Sequence, residues 1–129
     1  MPANEEAACA RNCRIAEQLK LYLQAHSVRC IRAVYLEMYQ RQLQGAAPMN
    51  TMEVYFCGNF KQGYQLSKVI DSALEEGYLT KRPKQKGSHL ILEPTDKLID
   101  EIQKEIDETL KVWKATVLME LNSGNQKSP

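Results

Sequence analysis

The chain reads as a mainly α protein with one small β-hairpin wing, an α+β fold of the winged helix-turn-helix type with a long helix at each end. Three observations predict it. Apolar residues recur at helical spacing in successive stretches from residue 5 to residue 121. Gly58-Asn59 makes a tight turn between a short helix and the next one. The period then changes from helix to strand over 78–93, around the basic turn Pro83 to Gly87.

Each element follows from local chemistry. Asn4 is a candidate N-cap for a first helix over 5–25, with Glu5 and Glu6 at its positive end. Ala8, Ile15, Leu19 and Tyr22 line one stripe of it, with Cys9, Cys13, Ala16 and Leu23 alongside. Ser27 can cap a second helix over 28–44, with Val28, Ile31, Tyr35, Met38 and Leu43 inward, and Gly45 to Pro48 ends it. Asn50 and Glu53 have the spacing of a capping box for a short helix over 51–57. Asn59 can cap the following helix, with Gln62 in the matching place. That helix packs Leu66, Val69, Ile70, Ala73 and Leu74 and stops at Gly77.

Tyr78 to Arg82 and Ser88 to Glu93 read as the two strands of the hairpin. Pro94-Thr95-Asp96 starts a last helix over 95–121, whose stripe is Ile99, Ile102, Ile106, Leu110, Trp113, Val117 and Leu121. The tail 122–129 is polar and is expected to be disordered. We read 1–129 as a single domain, with 28–93 as one lobe between the terminal helices.

Composition narrows the function. The 129 residues are 43% hydrophobic and 26% charged, ordinary for a soluble globular chain. No apolar run exceeds four residues, and Glu5-Glu6 stands where a secretory signal carries positive charge, so a cytoplasmic protein is expected. The net charge of +1 conceals a gradient, with +4 over 26–92 and −3 over 93–129. Residues 80–89 carry four basic groups and no acid, a local patch able to attract phosphate.

No Gly-rich phosphate loop and no H-E-x-x-H occurs, and two histidines give little material for a catalytic triad, so no enzyme and no cofactor is expected. The four cysteines, Cys9, Cys13, Cys30 and Cys57, form no C-x-x-C pair, and the two histidines lie in distant segments, so no metal site is expected. Cys9 and Cys13, four apart on one helix face, are the candidates for a redox-sensing thiol. Tyr35, Tyr39, Tyr55 and Phe56 are expected in the core rather than in a ligand pocket.

A helix about 10–12 Å wide fits the major groove of duplex DNA. On the helix near 60–76, Gln62, Gln65 and Lys68 face away from the apolar stripe, flanked by Tyr64 and Ser67. Gln pairs with adenine and Lys with guanine, while Lys81, Arg82, Lys84 and Lys86 on the hairpin can hold phosphate. The expected partners are double-stranded DNA and a second copy of the chain.

The dimer is expected from Ile15, Leu19 and Leu23 of the first helix with Ile106, Leu110, Trp113, Val117 and Leu121 of the last. That last helix, about 40 Å long, outruns a compact chain about 36 Å across.

Leu66-Ser-Lys-Val-Ile-Asp-Ser-Ala-Leu-Glu-Glu-Gly-Tyr-Leu-Thr-Lys-Arg82 and Leu90-Ile-Leu-Glu-Pro-Thr-Asp96 resemble the recognition helix, wing strands and final-helix start of the MarR family of bacterial winged-helix regulators. The resemblance spans roughly residues 10–121. It implies a homodimeric DNA-binding regulator, commonly a repressor relieved by a small-molecule effector or by thiol oxidation. The chain departs from the family in the wing, where Lys86-Gly87-Ser88 replaces an acid-arginine pair, and at Tyr55-Phe56, where the family carries Leu-Ala. The missing wing arginine and the net charge of +1 favour a rival class, a winged-helix protein-interaction module.

Overall fold

A computed structural model describes residues 3–26, 31–60, 65–83 and 90–127. The order is α1 (Ala3–His26), α2 (Ile31–Gln44), β1 (Met49–Asn50), α3 (Thr51–Cys57), α4 (Leu66–Glu75), β2 (Leu79–Pro83), β3 (Leu90–Pro94) and α5 (Asp96–Lys127). The expected caps at Asn4 and Ser27 fall on an undescribed side chain and on an undescribed residue, respectively.

The fold is mainly helical with a small antiparallel sheet ordered β1-β3-β2. In the hairpin Leu79 faces Pro94, Lys81 faces Leu92 and Pro83 faces Leu90. β1, unforeseen in the sequence, adds Met49 opposite Leu92 and Asn50 opposite Ile91. Two residues are too few to show a strand period, so only the pairing reveals them.

One core joins every element. Ile15 and Ala16 of α1 meet Val34, Leu36, Met38 and Tyr39 of α2, with Met49, Val54, Phe60, Ile70, Ala73, Leu79 and Leu92 below. Leu98, Ile102 and Ile106 of α5 close it. Tyr22, expected inward, is 62% exposed and stacks on His26 with ring centroids 4.3 Å apart.

The caps decide where the helices begin and end. Asn50 accepts the Glu53 N–H at 2.9 Å and Glu53 accepts the Asn50 N–H at 3.2 Å, a complete capping box. α4 ends on Gly77 at φ +78, where the Gly77 N–H reaches the Leu74 carbonyl and the Tyr78 N–H reaches that of Ala73. At the start of α5, the Thr95 hydroxyl donates to the Gly77 carbonyl at 2.6 Å and accepts the Leu98 N–H. The Thr95 N–H bonds the Tyr78 carbonyl at 3.0 Å, and Lys97 Nζ donates to the Glu76 carbonyl at 2.7 Å.

Two boundaries differ from expectation. α4 begins at Leu66, with Gln65 at its N-cap, and Asn59 does not cap it. Asn59 stands at φ 59, in the left-handed region, whereas an N-cap residue needs extended backbone. α5 continues through Asn122, Ser123 and Gly124 to Lys127, where a disordered tail was expected. Each of these poor helix formers costs less than about 1 kcal/mol, and extending a formed helix adds a hydrogen bond per residue.

Candidate nucleic-acid interface

After α3 the chain turns at Gly58 and Asn59. The Gly58 N–H bonds the Val54 carbonyl at 2.9 Å, the Asn59 N–H that of Phe56 at 3.2 Å, and the Phe60 N–H that of Tyr55 at 3.0 Å. Phe60 is then driven into the core at 1% exposure.

On α4, Ile70 and Ala73 are buried, and Leu66, Val69 and Leu74 pack against the core. The opposite face presents Ser67, Lys68, Asp71, Ser72 and Glu75, all exposed. Gln65 is exposed at the N-cap and makes no side-chain cap bond. Gln65, Ser67 and Lys68 therefore share the N-terminal end of α4, while Asp71, Glu75 and Glu76 make its other end acidic. Gln62 and Tyr64 lie outside the described residues.

Directly after α4, β2 carries Lys81 and Arg82, both exposed. Their roles divide. Arg82 Nε donates to Glu93 on β3, which holds the guanidinium across the hairpin. The sequence gives no cross-strand register, so it could not show that this cation already has a carboxylate. Lys84 and Lys86 lie outside the described residues.

The terminal helices split the expected dimer residues. Ile15 and Ile106 are 3% and 0% exposed in the chain's own core, so both are corrected from surface to core. Leu19, Leu23 and Leu110 are partly covered by the same core. Beyond Leu110 the helix leaves the domain: residues 111–115 are all exposed, Val112 at 60% and Trp113 at 40%. The side chains of Val117 and Leu121 lie outside the described residues.

Cys9 and Cys13 are half-buried and unbridged. Burial, then the neighbouring Cys9, pushes the Cys13 thiol above its ordinary value, the opposite of what a reactive thiolate needs. Tyr35 and Tyr39 are in the core as expected, but Phe56 is 62% exposed, in edge-to-face contact with Tyr55. It sits on the same side of α3 as Met52, which is 45% exposed.

Among the described residues no group of acids, histidines and cysteines could hold a metal ion, and no helix is long and apolar enough to cross a membrane. Sequence reasoning missed the charges joining α1, α2 and α3: Lys20, Glu37, Arg41 and Glu53. The spacing of Glu37 and Arg41, one helical turn apart, was the available signal. No protein-family model, no curated protein and no solved structure matches the chain.

Proposed function

We propose that the chain is a sequence-specific, double-stranded-DNA-binding transcriptional regulator of the winged helix-turn-helix, MarR-like type, acting as a homodimeric repressor. One observation carries this reading. A short helix that ends in a turn at Gly58-Asn59 and, from Leu66, a second helix with an exposed polar face precede an antiparallel strand pair. In this reading Gln65 and Lys68 face base edges from the leading end of α4, and Lys81, with Lys84 and Lys86, holds phosphate. Arg82, tied to Glu93, contributes less than its charge suggests. Exposed Leu21 and Tyr22 on α1 and Val112 and Trp113 on α5 support a second copy as partner.

The test is recovery of genomic fragments on the purified protein, followed by a salt titration. An enriched sequence is expected, with affinity falling by roughly 0.9 log unit per log unit of salt for each phosphate neutralised. No enriched sequence, or a flat salt response, refutes the reading.

A protein-interaction module is the second reading, favoured by the exposed Met52 and Phe56 on α3. Changing Lys84 and Lys86 to Glu separates the two: lost DNA retention supports the regulator, and lost protein capture with DNA retention unchanged supports the module.

A further inference from the structure

Four ion pairs run in one line from α1 to the first turn of α3. Lys20 Nζ lies 2.7 Å from Glu17 on its own helix and 2.7 Å from Glu37 Oε1 on α2. Glu37 Oε2 accepts from Arg41 Nε at 2.9 Å, and Arg41 Nη2 donates to Glu53 Oε2 at 2.7 Å. Glu53 is also the residue that closes the capping box with Asn50. At the other end, Gln40 donates to Glu17 at 2.8 Å and to the Cys13 carbonyl at 3.2 Å.

This line differs from ordinary surface pairs. The side chains of Lys20, Glu37 and Arg41 are only 11%, 22% and 24% exposed, against 75% and 72% for Lys111 and Glu108. Partial burial removes solvent screening, so these pairs are stronger than solvated ones and costlier to leave half-made. Burial alone pulls the Lys20 ammonium and Arg41 guanidinium down, yet their carboxylate partners outweigh it and both titrate above their ordinary values. The line also crosses three helices. Glu37 grips α1 with one carboxylate oxygen and, through Arg41, α3 with the other.

We propose that Glu37 is a positioning residue that fixes the N-terminal end of α3, and with it the α3–α4 pair, to α1. A shift of α1 is then passed to α4 through charges that cannot be separated one at a time. This inference deepens the DNA-binding reading and rests on it for its functional consequence, but its mechanical part stands apart.

The experiment is a double-mutant cycle on Lys20→Met and Glu53→Gln, two side chains on different helices that the ion pairs described above link through Glu37 and Arg41. Glutamine serves as well as glutamate at the third position of a capping box, so Glu53→Gln removes the charge and keeps the cap. Amide hydrogen exchange is read in residues 51–57 and 66–75, with 98–106 as the reference. Glu37→Gln is expected to speed exchange about tenfold in α3 and α4 while the reference changes little. The Lys20 and Glu53 effects are expected to be non-additive by at least about twofold. Additive effects, or an equal rise in all segments, overturn the proposal. Affinity for the enriched fragment is measured in parallel and is expected to fall with α3 exchange. Coupled exchange in a protein that retains no DNA leaves the positioning role standing and removes the DNA reading. Intact affinity in Glu37→Gln with coupled exchange overturns the functional link.

Discussion

Replacing Gly58 with alanine tests how the turn between α3 and α4 is built. An added Cβ would lie 2.3 Å from Phe60 Cε2, 2.8 Å from Cδ2 and 3.0 Å from Cζ. Carbon atoms prefer about 3.5–4.0 Å, so the ring must retreat by about 1 Å. It has nowhere to go, because Phe60 is 1% exposed in the core. Overpacking of this kind costs about 1–3 kcal/mol. Gly58 sits at φ −84 and ψ 2, which alanine accepts, so the stiffer unfolded chain returns about 0.4–1 kcal/mol. The net is a loss of about 1–2 kcal/mol, or roughly 4–8 °C in Tm for a chain of this size. Urea unfolding followed by circular dichroism measures it. Gly58→Ala with Phe60→Leu should then be at least about 1 kcal/mol more stable than the sum of the single changes, because the smaller side chain relieves the clash. A Gly58→Ala protein as stable as the parent, or strictly additive changes, refutes this account of the turn.

Three further outcomes are expected. Trp113→Asp should yield a monomer by sedimentation at micromolar concentration, with most helical content kept; an unchanged mass removes Trp113 from the interface. Burial, then the charge of Glu76, pushes the Tyr35 phenol up to about 12, so the neutral form is favoured in the fold. Its contribution is whole below pH about 10 and is lost as pH rises towards 12, about 3 kcal/mol in all. Urea midpoints at pH 9 and 11.5 should fall less in Tyr35→Phe, and identical falls contradict the assignment. Cys13, with its thiol pushed up by burial, should react with iodoacetamide no faster than a free thiol at pH 7, and mild peroxide should leave DNA retention unchanged. Rapid alkylation there would restore the redox option.

Local chemistry was legible and cross-chain chemistry was not. Asn50 with Glu53, Thr95 and Gly77 each announce a helix end, because a cap involves only a few neighbours in sequence. The apolar stripe of α4 was equally plain, since Leu66, Val69, Ile70, Ala73 and Leu74 repeat at the helical period. Asn59 misled because asparagine suits both an N-cap and a left-handed turn, and only the observed φ separates them. Ile15 and Ile106 looked available to a partner because a stripe shows which face is apolar, not which chain covers it. Arg82 looked free because strand register, which brings Glu93 beside it, is set by tertiary pairing. The same reason hid the line from Lys20 to Glu53, whose partners are up to 17 positions apart.

The joint at Thr95 makes the molecule a caliper. Thr95 and Lys97 pin the first turn of α5 to the carbonyls of Glu76, Gly77 and Tyr78, so the end of α4 and the root of α5 share one rigid corner. These bonds tie the jaw to the handle at that corner. In a two-fold pair held along α5, the gap between the two α4 helices is then set by how the handles cross. Duplex DNA repeats about every 34–36 Å, and each added base pair moves a half-site by about 3.4 Å and turns it around the axis. In the proposed DNA-binding dimer, such a caliper would measure spacing as well as sequence. Inserting a single base pair between half-sites should cost it more than a mismatch within either one.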